Sequence, residues 1–242
     1  IMLACLAYAK LRREGRSKDI VVLVTAGLGL LALVVAHTVY CSTAVAMSAL
    51  LIALVILPRK AQRILEKPAV VIAAMVLTGV ILAFLLQLLQ VPFVKHIVVD
   101  VLGENLTLTG RDLIYSGLRA VISESPIFGY GYGNAAVAMY VGYGNAQNSI
   151  METLVNYGVV GLFAVFYMAW TSVKGDKPSW SWGMYIMLYA MIAGSIVEIT
   201  YNYYFFIALM AIFVASEDIQ SGGIEKDEKQ SVCCVNGALT RR

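Results

Sequence analysis

Six long blocks of this chain run with almost no charged side chain inside them, and that pattern most limits what the chain can fold into. Peptide groups in hydrocarbon must find their hydrogen bonds within the protein, and a helix supplies them within one segment. We therefore expect an all-α polytopic membrane protein with about six transmembrane helices, at residues 20–36, 41–57, 69–90, 148–170, 183–199 and 203–216. Residues 1–9 are apolar too, but fall short of the roughly 20 residues a crossing needs, and read as the stub of a truncated span. Basic residues follow this stub instead of preceding it, unlike a signal peptide. Composition agrees: 60% of residues are hydrophobic and 14% charged, against about 45–50% and about 25% in an average soluble domain. A disordered chain, a disulfide scaffold and an ordinary soluble enzyme fit poorly. A net charge of +3 is too small to suggest a nucleic-acid partner.

Where the charge lies matters more than its sum. Lys10, Arg12, Arg13, Arg16 and Lys18 precede the first full span, and Arg59, Lys60, Arg63 and Lys67 separate the second from the third. Lys174 and Lys177 follow the fourth span, and Lys226, Lys229, Arg241 and Arg242 lie in the tail. Of the 18 lysines and arginines, only Lys95, Arg111 and Arg119 fall in the alternate connections, all within the loop 91–147. The positive-inside rule then puts that loop outside and the tail 217–242 in the cytoplasm. The expected organisation is a stub (1–9), three spans (20–90), an outer loop (91–147), three spans (148–216) and a flexible tail. The cysteines lack metal-ligand spacing, and neither a metal nor another cofactor is expected.

No Asp, Glu, Lys or Arg lies near the middle of a span, where ion-coupled transporters place ionisable groups. Polar chemistry gathers instead at the outer face. The loop centre reads as an amphipathic helix, with a capping pattern at Thr109 and Asp112 and a stop at Pro126. Leu113, Ile114, Leu118, Val121 and Ile122 form an apolar stripe suited to a membrane surface. Arg111, Tyr115 and Arg119 recur every four residues as a second stripe. Guanidinium forks match phosphate oxygens, so this face suits a phosphate-bearing lipid; a solvated face pairing with Asp112, Glu124 or headgroups is the plainer alternative. Next comes G-Y-G-Y-G-N, whose Tyr130, Tyr132 and Asn134 offer rings and an amide for sugars, or simply form a glycine-rich turn. Gln147 and Asn148 open the fourth span, with Glu152 one turn in, while Glu198 closes the fifth before a tyrosine-rich turn that also fits an interfacial belt.

The strings T-G-R-x-x-x-Y, S-P-I-F-G-Y-G-Y-G-N and Q-N-x9-G-x-x-G together resemble the O-antigen ligase and O-antigen polymerase superfamily. Arg111 falls at that family's loop arginine, Pro126 at its helix-ending proline, Asn148, Gly158 and Gly161 on its later pattern, and Glu198 at an acid before the last span. The resemblance implies a multi-pass enzyme of the bacterial plasma membrane. It would transfer glycan from a polyprenyl-diphosphate-linked oligosaccharide to a glycan or lipid acceptor outside the membrane, without metal or other cofactor. Arginines at the diphosphate would stabilise the leaving group. The resemblance is to the C-terminal part of longer relatives. The family histidine is replaced by Gln147, which cannot act as a base at neutral pH; if a base is needed, Glu152, Glu198, Asp112 or a residue of the missing N-terminal part would serve, or position alone would activate the acceptor hydroxyl. The expected catalytic residues are Arg111, Gln147, Glu152 and Glu198. The expected substrate-binding residues are Arg111, Tyr115, Arg119, Tyr130, Tyr132, Asn134 and Asn148. A transporter or flippase of lipid-linked glycans and an inactive membrane remnant are the alternatives.

Overall fold

A computed structural model describes residues 1–39, 41–83, 91–96, 111–133, 135–196 and 198–216. Regular structure among them is entirely helical: α1 (Met2–Arg13), α2 (Lys18–Thr38), α3 (Ser42–Val55), α4 (Arg59–Leu65), α5 (Pro68–Ala83), α6 (Pro92–His96), α7 (Arg111–Glu124), α8 (Ala136–Val141), α9 (Ser149–Val173), a 3-10 turn (Ser179–Ser181), α10 (Trp182–Gly194) and α11 (Tyr203–Ser216). The sequence W-G-M-Y-I-M-L-Y-A-M-I-A-G of α10 is apolar all round, which suits a helix enclosed by others. It is the centre of the protein. Trp182 to Ile192 are buried, and the helix packs on α1, α3 and α5. Gly183 permits the approach of α1, since a Cβ there would lie 2.5 Å from the Cys5 carbonyl oxygen. One end of α10 is tied to α3 by Trp182 Nε1 donating to the Leu54 carbonyl at 3.2 Å. The other is tied to the head of α9 by Asn148 Nδ2 donating to the Ser195 carbonyl at 2.7 Å.

Around this core runs an apolar perimeter. Leu23 and Leu31 on α2, Phe163 and Tyr167 on α9 and Met210 on α11 are all more than 60% exposed. Exposed apolar surface of this extent needs covering, and lipid covers it without any polar partner. By length and composition α2 and α9 can each cross a membrane. A third crossing results if α4 and α5, bent by 69° at their junction, act as one span.

Six spans were expected, and the remaining three blocks give shorter helices. α3 has 14 residues and α10 has 13, so each rises only about 20 Å, against a hydrocarbon core of about 30 Å. Chain chemistry sets both ends. α3 stops just before Pro58, whose ring disfavours helix in the preceding residue. Beyond Gly194 the backbone leaves the helix to hydrogen-bond the head of α9. Residues 84–90 of the expected third span and the tail 217–242 lie outside the described residues. The stub belongs to a longer helix, α1, whose Ala4, Cys5, Tyr8 and Ala9 are buried.

Three of the basic turns meet at one end. Arg12, Lys18 and Arg59 line a common cavity with Ser179, and the Arg13 guanidinium lies 5.6 Å from the centre of the Trp180 ring. At the opposite end of α10, the loop preceding α9 builds a small core of its own. Ile114, Leu118 and Val121 of α7 are buried against Ala136, Val137, Ala146 and Val155. The apolar stripe of α7 thus faces protein here, not a membrane surface, because residues 136–146 fold back over it. Gly117 allows this contact: a Cβ there would sit 2.8 Å from a Val141 methyl.

Candidate functional site

A helix interrupted inside an apolar environment leaves carbonyls and amides without partners, and each must be met from elsewhere. α9 is interrupted at Gly158, whose φ of 63° and ψ of −164° are open to glycine alone. The turn after α7 fills the interruption. Tyr130 N–H donates to the Val155 carbonyl and Gly131 N–H to the Asn156 carbonyl, both at 2.8 Å. In return Val159 N–H donates to the Pro126 carbonyl at 2.9 Å and Val160 N–H to the Ile127 carbonyl at 3.2 Å. The crossing is too close for side chains. A Cβ on Gly158 would lie 2.2 Å from the Ile127 oxygen, and one on Gly129 would lie 2.5 Å from the Val155 oxygen. Gly158 is the point where S-P-I-F-G-Y-G locks onto α9.

The head of α9 is equally closed. Asn148 is fully buried. Its Oδ1 accepts from Ile150 N at 3.0 Å and Met151 N at 3.1 Å, capping the helix, while Nδ2 donates to the Ser195 and Ile196 carbonyls. Both lone pairs and both N–H groups are thereby used inside the protein, so Asn148 holds the head of α9 in place. Ser149, which the sequence did not single out, accepts from Thr200 N at 2.7 Å and donates to the Glu198 carbonyl at 3.0 Å. This bond fixes the Glu198 backbone beside α9 and leaves its side chain exposed. Glu152 is held differently: one oxygen accepts from Ala146 N at 2.9 Å and the other from Asn156 Nδ2 at 3.0 Å. Gln147 lies in the turn above with φ of 48°, its N–H donating to Asn145 Oδ1 at 3.0 Å.

α7 carries the arginine stripe and packs on α8 and α9. Arg111, Tyr115 and Arg119 keep their four-residue spacing along it, and Arg119 is exposed. The side chains of Arg111 and Tyr115, and Asn134 entirely, lie outside the described residues. Tyr130 has a structural task that the sequence did not reveal. Its ring packs against the loop core and its hydroxyl lies 3.0 Å from the Val121 carbonyl and 3.2 Å from Glu124 Oε2. Tyr140 donates to the same carboxylate oxygen. Desolvation and then the Glu124 charge push the Tyr130 hydroxyl above its ordinary value. The Tyr140 hydroxyl is pushed up to about 12, first by its bond to Glu124. Tyr132 is the open ring, 86% exposed. Glu124, Tyr140 and Ser149 join distant positions through hydrogen bonds and carry no local spacing signal.

Arg119, Tyr132 and Glu198 are exposed and Gln147 is half-buried, around a frame closed by Gly129, Gly158, Asn148 and Ser149. Their side chains are a cation, an aromatic ring, an amide and a carboxylate. No family model matches the chain, and neither a curated protein nor a solved structure matches it.

Proposed function

We propose that the protein is an O-antigen polymerase- or ligase-like membrane glycosyltransferase, acting on a polyprenyl-diphosphate-linked oligosaccharide at the outer face of the bacterial plasma membrane. The observation that carries this reading is the locked crossing at Gly158, which holds the arginine helix α7 against the head of α9 near Gln147 and Glu152. Polar groups concentrated at one end, on helices able to span a membrane, suit a lipid-borne donor whose reacting carbon lies at the interface.

In this mechanism an acceptor hydroxyl attacks the anomeric carbon, and the bond from that carbon to the diphosphate oxygen breaks. The polyprenyl diphosphate departs with the bonding electrons, and the acceptor proton passes to a carboxylate. Arg111 and Arg119 bind the diphosphate and offset its growing charge. Glu198 takes this proton, because its side chain is exposed while both oxygens of Glu152 are already bonded to N–H donors. Gln147 orients the acceptor through its amide, and Tyr115 and Tyr132 stack on sugar rings. Six membrane crossings remain part of this reading, with bilayer thinning and snorkelling of flanking residues accommodating the shorter helices.

The test uses membranes containing the full-length wild type or Arg111→Ala, given a native lipid-linked oligosaccharide, with products resolved by size. A ladder or a single acceptor shift in wild type that disappears in Arg111→Ala, at equal membrane insertion, is expected. Unchanged products from the variant would end the proposal.

A further inference from the structure

The end of the protein remote from the arginine helix holds a cavity of about 210 Å³ between the α1–α2 turn, the α3–α4 turn and the 3-10 turn. It is lined by Arg12, Lys18 and Arg59 on one side and by Val21, Val22 and Ile56 on another. Arg59 is neutralised by Glu66 at 2.6 Å. Arg12 and Lys18 have no carboxylate within ion-pair distance among the described residues, and Arg12 Nε is buried without a hydrogen-bond partner. A buried N–H donor left unmet is costly, and an anionic oxygen in the cavity would meet it. The geometry points to a binding site for the phosphate of an anionic amphiphile, with Arg12 and Lys18 on the phosphate oxygens and the first acyl carbons along Val21, Val22 and Ile56.

Size and shape select this ligand class. Drug-sized molecules occupy pockets of about 300–1,000 Å³, so this cavity suits a headgroup with most of its tail outside. The guanidinium offers two parallel N–H bonds that match phosphate oxygens, and Lys18 adds a mobile point charge. Ile56 is 64% exposed, and with Ile20 and Leu23 of α2 it continues the apolar wall outward onto the perimeter that lipid would cover. The site thus joins α1, α2 and α4 through a lipid at the face where the basic turns gather. It is independent of the glycosyltransferase reading and would stand if that reading failed.

The test uses the full chain purified in a non-ionic detergent, with dihexanoyl phosphatidylglycerol, dihexanoyl phosphatidylcholine and inorganic phosphate as probes and native mass spectrometry as readout. Phosphatidylglycerol is expected to bind more tightly than phosphatidylcholine. Arg12→Gln and Lys18→Gln should each weaken it about tenfold, the loss expected for one charge-assisted hydrogen bond, while Arg241→Gln in the tail should not. Lys18 is exposed, so its variant carries the test if Arg12→Gln fails to fold. Competition by inorganic phosphate would assign the affinity to the phosphate itself, and its failure to compete would assign it to headgroup and chain together; either supports the site. Equal binding of the two lipids, or unchanged affinity in a folded Lys18→Gln variant, would overturn it.

Discussion

Replacing Gly158 by alanine tests the interlock between loop and helix at its narrowest point. Two costs add. The backbone at φ 63° and ψ −164° is a glycine conformation, and holding alanine there costs about 1–3 kcal/mol. The new Cβ, placed 2.2 Å from the Ile127 oxygen, must also retreat by more than an ångström to reach ordinary contact, which is reached at 3.4 Å. That movement stretches the bonds from Val159 and Val160, now 2.9 and 3.2 Å, past hydrogen-bonding range. Leaving such a group unmet costs about 1–3 kcal/mol, so the total is about 2–6 kcal/mol even if one bond survives. Gly131→Ala is the control. Its φ is 87° but nothing lies within 4 Å of the added carbon, so strain alone, about 1–2 kcal/mol, is expected. Denaturant titration in detergent micelles and amide exchange at Tyr130, Gly131, Val159 and Val160 measure both effects. The double variant Gly129→Ala, Gly158→Ala should cost far less than the sum of its singles, because either breaks the same crossing. A Gly158→Ala protein within about 0.5 kcal/mol of wild type, with those amides still protected, would refute the reasoning.

Asn148→Ala removes the cap of α9, leaves the Ile196 carbonyl without its side-chain donor and the Ser195 carbonyl with Ser149 N–H alone, a loss of about 2–4 kcal/mol by denaturant titration. Asn148→Asp keeps the cap but sets a carboxylate against those carbonyls, and should be at least as unstable as Asn148→Ala at neutral pH while recovering on acidification. Gly183→Ala should part α1 from α10, seen as faster labelling of Cys5 by a membrane-permeant thiol reagent. Tyr140 ionises near 12 in the folded protein against 10.0 ordinarily, so its hydroxyl form favours the fold below pH 10 and that contribution fades as pH rises from 10 to 12. Ultraviolet titration should show the Tyr140 step move down toward 10 in Glu124→Gln, and an unmoved step would count against the Tyr140–Glu124 bond.

What was legible in the sequence follows from what periodicity records. The apolar stripe of α7 fixed which residues share a face, and Ile114, Leu118 and Val121 do share a buried one. Periodicity carries no sign of what that face meets, and protein, not membrane, covers it here. Hydropathy located every apolar block but not its unwinding. Residues 195–199 continue an apolar run, yet the carbonyls of Ser195, Ile196 and Glu198 turn aside to bond Asn148 and Ser149 across 47 to 49 positions of sequence. The break at Gly158 was hidden for the same reason, since its partners lie at 126–131 and the local string N-Y-G-V-V-G reads equally well as continuous helix. Tyr130 and Tyr132 look alike in G-Y-G-Y-G; the fold alone sends one ring into the loop core and the other outward. Among the expected site residues, Arg119, Tyr132 and Glu198 are exposed and Asn148 and Tyr130 have structural tasks.

Locating the lipid diphosphate on the protein tests the central claim most directly. A polyprenyl-diphosphate-linked sugar with a photoreactive group beside the diphosphate would be irradiated with the membrane-embedded full-length protein, and the adducts mapped by peptide sequencing. Adducts between residues 111 and 133 or between 142 and 152, reduced in Arg111→Ala, are predicted. Adducts confined to the opposite end, around Arg12, Lys18 and Arg59, would contradict the account.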